Sequence, residues 1–292
     1  MRIHVLPALT GMTSRREEYI MDKLLSMFSY SYMTRAFIAG VIIAVVVSCL
    51  GNVMVHKRLS LIGDALAHTS LAGVALGLVA GIDPIVGAVC ACLVGALFIE
   101  GVRKKLGEHS EMAVAVILSA GVGIAGISSG FIKNGSDFSS FLFGSIIATS
   151  GEELILIAIV ALVVLVTYFA LYRKIFLIAF DEDQARLMGI RTDVINIVIT
   201  ILTALTVSVS ARIVGTLIIS SLMVVPVAAA SMVSKSYKMQ LILSMIISVF
   251  ATVTGLVSSF LFGLKPGGTI CLVTVLIFII SLIVSSFSKK TR

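Results

Sequence analysis

TRAFIAGVIIAVVVSCLGNVMV, Thr34 to Val55, is 22 residues long and carries one charge, Arg35, near its start. That length matches the roughly 20 apolar residues a helix needs to cross the hydrocarbon core of a bilayer. Similar runs follow at 59–81, 84–102, 112–130, 153–172, 192–210, 213–233, 239–262 and 269–287. Strands of a membrane barrel are about ten residues long and alternate apolar with polar, and these runs do neither. A helix satisfies its own backbone hydrogen bonds in lipid. The sequence therefore predicts an all-α polytopic transmembrane helical bundle of eight or nine spans, the third and sixth being the weakest.

Composition agrees. The chain is 59% hydrophobic and 13% charged, about half the charged share of a soluble domain, and its mean hydropathy is +1.14. The net charge of +7 is spread in short groups between apolar runs rather than along a stripe, so no nucleic-acid partner is expected. Gaps after odd-numbered runs, with the C-terminal tail, hold 14 Lys and Arg; gaps between the others hold only Lys133, Arg212 and Lys265. Basic residues mark the cytoplasmic side. Nine spans then place the N-terminus outside and the C-terminus in the cytoplasm. The N-terminal region is discordant, with five basic and three acidic residues; three of the basic ones disappear if the chain starts at Met21. The organisation expected is a tail and short amphipathic approach helix (1–33), a transmembrane domain (34–287) with a cytoplasmic loop at 173–191, and a cytoplasmic tail (288–292). Cys49, Cys90, Cys92 and Cys271 all fall in apolar runs without C-x-x-C spacing and read as small buried hydrophobes.

The second run contains IGDALAHTSLAGVALG, Ile62 to Gly77. Asp64 and His68 are at i and i+4, on one helix face. With the run starting at 59, Asp64 lies five residues in from the cytoplasmic side, and His68 about 6 Å deeper. An Asp within a span costs about 2.5–3.5 kcal/mol on insertion scales, so the pair should face protein or a polar cavity. Carboxylate oxygen and imidazole nitrogen suit Zn²⁺, and also Mn²⁺ or Fe²⁺. Two ligands are too few for a stable site, but water, another helix or another subunit could complete a transient one. The pair could also lock two helices together or relay a proton. Gly73, Gly77 and Gly81 repeat G-x-x-x-G, a pattern for close helix packing, and Gly87, Ala91 and Gly95 repeat it on the third run.

Between the fifth and sixth runs, Phe180, Asp181, Glu182, Asp183, Gln184, Ala185, Arg186, Leu187, Met188 and Gly189 spell a short capped helix, acidic at its start and glycine-ended. It is either a plain surface helix or a docking element. Pro226 sits within the seventh run and should kink it; Arg212, at the outer edge, should snorkel to the interface. The segment Ile132 to Ser145 reads as partly inserted. G-x-x-x-x-G-K-[ST], H-E-x-x-H and G-x-S-x-G do not occur, so no enzyme reading has support.

Taken together, KRLSLIGDALAHTSLAGVALG (57–77), FLFGSI (141–146), FDEDQARLMGI (180–190) and ARIVGTLIISSLMVVPVAAA (211–230) resemble the membrane permeases of ABC importers for zinc, manganese and iron. The resemblance spans residues 36–286. It implies a prokaryotic plasma-membrane permease acting as a homodimer, with two cytoplasmic ATPase subunits and an external metal-binding protein. ATP would bind on the partner chains, and the permease would hold no cofactor stably. The 180–190 stretch would dock into the ATPase, and Asp64 and His68 would line the metal's path. SLAG at 70–73, without proline, is more similar to the zinc branch than to the manganese one. Two other readings compete: a gradient-driven secondary transporter with Asp64 as coupling acid, and a membrane scaffold in which the pair only packs.

Overall fold

Each apolar run forms a helix. The computed structural model describes residues 27, 29–106, 110–132, 135–145 and 150–290. Its helices are α1 (Ser31–His56), α2 (Ile62–Ala80), α3 (Pro84–Leu106), α4 (Ser110–Ser129), α5 (Gly135–Phe143), α6 (Gly151–Phe180), α7 (Glu182–Leu187), α8 (Thr192–Val214), α9 (Thr216–Val233), α10 (Tyr237–Phe262) and α11 (Pro266–Lys290). Among the described residues, eight helices are long and apolar enough to cross a bilayer; the apolar part of α9, Ile218–Val233, is shorter. Most of the expected N-terminal tail, residues 1–26 and 28, lies outside the described residues, as do Lys133, Ile146 and the last two residues of the C-terminal tail.

Side-chain pairings sort the helix ends into two groups. At one end Lys57, just past α1, meets Asn196 near the start of α8 and Glu182 of α7. The rings of His56, Phe180 and Tyr237 gather beside them, with His56 5.5 Å from Phe180 and 5.1 Å from Tyr237. At the other end Glu153, in the first turn of α6, pairs with Arg212 in the last turn of α8. There Ser145 N–H donates to the Arg212 carbonyl at 3.2 Å, and Lys265 sits 4.0 Å above the Phe143 ring. Successive long helices therefore alternate in direction. Arg212 is 37% exposed at this end, and its guanidinium pairs with the largely buried Glu153 of another helix.

Local chemistry sets the helix limits. α6 opens on a capping box: Ser150 Oγ accepts from Glu153 N–H at 3.2 Å, and Glu153 accepts from Ser150 N–H at 3.1 Å, a pairing that satisfies two orphan donors. α6 then continues to Phe180, beyond the 172 expected from hydropathy, because RKIFLIAF contains no helix breaker and Arg173 and Lys174 are exposed. The inner loop thus reduces to residues 181–191. Pro226 sits inside α9, which remains one helical element around it. The segment after α4 contains α5, which packs on α2, α8, α9 and α11.

The main core joins α1, α2, α3, α6, α8 and α9, and also takes in Val114 of α4, Ala185 of α7, Leu241 and Leu256 of α10 and Ile270 of α11. A second, smaller core of Leu71, Ala72, Val74, Ala88, Ala125 and Phe141 joins α5 to α2, α3 and α4. α6 and α11 turn most of their apolar surface outward, where lipid would cover it.

Candidate functional site

α1 ends in a tight turn in which Arg58 takes φ 58°, and α2 begins at Ile62. Asp64 is therefore in the first turn of α2, closer to the helix end than a run starting at 59 implied. The N-terminus of a helix carries partial positive charge, which favours a carboxylate. This position lowers the cost of keeping an acid in an apolar run, without any ligand.

His68 Nε2 lies 3.8 Å from Asp64 Oδ1. That separation exceeds a hydrogen bond, so the two groups are neighbours on one face without being joined. Their side chains are 22% and 35% exposed, while Ala65, Leu66 and Ala67 between them are buried. The face that carries the pair opens outward from the chain. Beyond it toward the outer end, Leu71 and Ala72 enter the apolar cluster topped by Phe141.

The backbone around His68 is held closely. A Cβ on Gly121 of α4 would stand 2.9 Å from the His68 carbonyl carbon and from Thr69 N. On the α3 side, Cys92 Sγ donates to the Leu66 carbonyl at 3.2 Å, and a Cβ on Gly95 would stand 3.0 Å from Thr69 Cγ2. Gly73 and Gly87 meet backbone to backbone, so a side chain on either would collide with the other's carbonyl oxygen. Gly77 approaches Pro84 less tightly. Gly81 does not pack: nothing lies within 4 Å of its Cβ direction, and at φ 72° it ends α2. The sequence pattern suggested Gly73 but gave no hint of Gly121, whose role depends on another helix's approach.

The inner loop forms α7. Asp181 is its N-cap, accepting from Gln184 N–H at 2.9 Å, and Gly189 follows with φ 80°. Ala185 is buried, whereas Leu187 is 88% exposed and Phe180 and Met188 are exposed beside it. α7 thus presents apolar side chains outward, together with Asp181 and Asp183, while Glu182 turns toward the bundle. There Glu182 Oε1 accepts from Asn196 Nδ2 at 2.8 Å, and Glu182 Oε2 lies 3.7 Å from Lys57 Nζ. Burial, ahead of the neighbouring Arg103 charge, pulls the Lys57 ammonium down to about 8, against the upward pull of Glu182 and Glu100. Glu100 near the end of α3 is buried, a second acid within an apolar helix that sequence reading passed over. It pairs with Arg103 at 2.8 Å. Among the described residues no three of His, Cys, Asp and Glu converge into a group able to hold a metal ion.

The profile of the ABC 3 transport family matches residues 29–285. A protein of Treponema pallidum described as a probable metal transport system membrane protein is 36% identical over 86% of this chain and 94% of its own. The manganese import system permease protein ScaB of Streptococcus gordonii is 27% identical over 91% of this chain and 96% of its own. The structure of PsaBC from Streptococcus pneumoniae in complex with Fab superposes with a TM-score of 0.79 at 26% identity, covering 90% of this chain and 95% of that one.

Proposed function

The chain belongs to the ABC 3 transport family as the transmembrane permease subunit of an ATP-driven metal importer, and from that premise we propose that a divalent transition-metal ion crosses beside Asp64 and His68. It is a multi-pass protein of a prokaryotic plasma membrane. The observation that carries the pathway is the half-open face on which Asp64 and His68 stand 3.8 Å apart while the backbone of His68 is clamped by neighbouring helices. One oxygen and one nitrogen donor, held in place but not joined, can each turn toward a passing ion.

A second copy of the permease supplies the same two groups across a two-fold axis, giving the four-donor set that zinc favours. The external metal-binding protein delivers the ion at the outer end, where the Phe141 cluster closes over α2. Protein donors then replace part of its water shell. Two ATPase subunits dock on residues 180–189, guided by the exposed Phe180, Leu187 and Met188. The excess of basic residues in the gaps at the α7 end supports a cytoplasmic location for that end and for the C-terminus.

Zinc is the proposed cargo on the strength of the imidazole donor and the SLAG sequence at 70–73. Manganese is the second reading, favoured by the Streptococcus gordonii relative. Uptake of radioactive zinc and manganese into vesicles holding the assembled complex decides between them. Asp64→Ala and His68→Ala are each expected to abolish ATP-dependent uptake; full uptake in both would remove the pathway assignment. Uptake that follows a proton gradient and ignores ATP would point instead to a secondary transporter.

A further inference from the structure

The import cycle needs a physical link between an ATPase on α7 and a metal near His68. α7 is six residues long and most of it faces outward. Its anchors to the bundle are buried Ala185, the carboxylate of Glu182, and Arg186, which meets Thr192 at 3.3 Å and Asp193 at 3.5 Å on α8. The Glu182 carboxylate accepts from Asn196 on α8 at 2.8 Å, lies 3.7 Å from Lys57 after α1, and stands 4.0 Å from the guanidinium of Arg103 on α3, near enough for attraction between the charges but beyond a hydrogen bond. Arg103 also holds Glu100 at 2.8 Å, and the two side chains are only 14% and 4% exposed. Ion pairs in water exchange partners freely and contribute little. Buried ones are fixed, because losing a partner strands a charge. Arg103 is thus fixed by an acid on its own helix while its charge also faces the 31% exposed acid on α7.

We propose that Arg103 is a positioning residue of the import cycle, joining α7 to α3 so that movement of α7 reaches the backbone around His68. α3 is the suitable carrier. One end holds Arg103, and the same helix grips α2 on either side of His68, through Cys92 at Leu66 and Gly95 at Thr69. The proposal rests on the importer reading given above and adds the residue that connects its two halves.

The test uses the assembled complex of permease, ATPase subunit and metal-loaded delivery protein in vesicles, and reads zinc or manganese imported per ATP hydrolysed. Arg103→Gln is expected to leave co-purification of the ATPase intact and to lower metal moved per ATP by about tenfold, within the range packed networks transmit. Arg103→Lys, which keeps the charge, is expected to recover most of the loss. If Arg103→Gln fails to assemble, the exchange R103E with E182R decides: restored assembly and coupling support the tie, and neither restored overturns it. An Arg103→Gln complex that imports as much per ATP as the parent overturns the tie alone. Absence of ATP-driven import by the parent itself overturns the reading beneath it.

Discussion

Gly121 on α4 faces the peptide backbone of His68 on α2 so closely that a Cβ would stand 2.9 Å from the His68 carbonyl carbon. Backbone cannot yield as a flexible side chain does. Gly121→Ala is therefore expected to displace α2 at His68, costing about 1–3 kcal/mol as overpacking does. Metal uptake should fall sharply although no donor is changed. Gly123→Ala is the control, since nothing lies within 4 Å of that position. Equal uptake by the two variants would show that α4 does not set the place of His68.

Leu187 is 88% exposed on α7, so little of its side chain packs against the described residues. Leu187→Glu should leave folding and membrane insertion unchanged while the ATPase subunit no longer co-purifies. Retention of the ATPase at parental yield would move the dock away from this helix.

Lys57 gives a pH signature. Its side chain is 7% exposed, and burial brings its ammonium down to about 8. The charged groups facing it are Arg103 and Glu100 on α3 and Glu182 on α7. As pH rises through about 8, folded Lys57 gives up a proton that the unfolded chain keeps up to its ordinary value of 10.5. In that window this group's contribution to stability rises with pH. The Glu182 ion pair is lost over the same window, so metal moved per ATP should fall between pH 7 and 9. Lys57→Arg stays charged throughout and should flatten that fall; an identical pH profile in the variant would assign the effect elsewhere.

Glu153 does two things at the opposite end. One oxygen closes the capping box of α6 and the other pairs with Arg212. Glu153→Gln keeps an acceptor for the cap and loses the charge, whereas Glu153→Ala loses both. The alanine variant should be the less stable in thermal unfolding, by about the 0.5–2 kcal/mol of a lost cap. Equal melting temperatures would mean that the capping box contributes nothing measurable.

The existence and approximate place of the long helices were readable because length and apolarity are local properties, whereas limits such as the start of α2 at Ile62 and the end of α6 at Phe180 were not. Asp64 and His68 stood out for the same reason, as polar residues in an apolar run. Their true depth was not readable: it depends on the Arg58 turn that delays the start of α2 to Ile62. The same position at the helix end already favours an acid there. Gly121, the Glu100–Arg103–Glu182 group and the Glu153–Arg212 pair escaped because each joins residues from different helices, and no local pattern announces a partner far along the chain. Gly81 fitted a repeating pattern yet serves as a terminator, because the third glycine falls where α2 runs out.

The contacts along α3 give it the proportions of a lever. Its fulcrum is the crossing of Gly87 with Gly73, and its handle is Arg103. The 16 residues between Gly87 and Arg103 span about 24 Å of helix. Gly95, resting on Thr69 beside His68, is at the midpoint. A rigid α3 pivoting on Gly87 would move Gly95 about half as far as Arg103, so a coarse displacement at the inner end would reach the backbone beside His68 as a fine one.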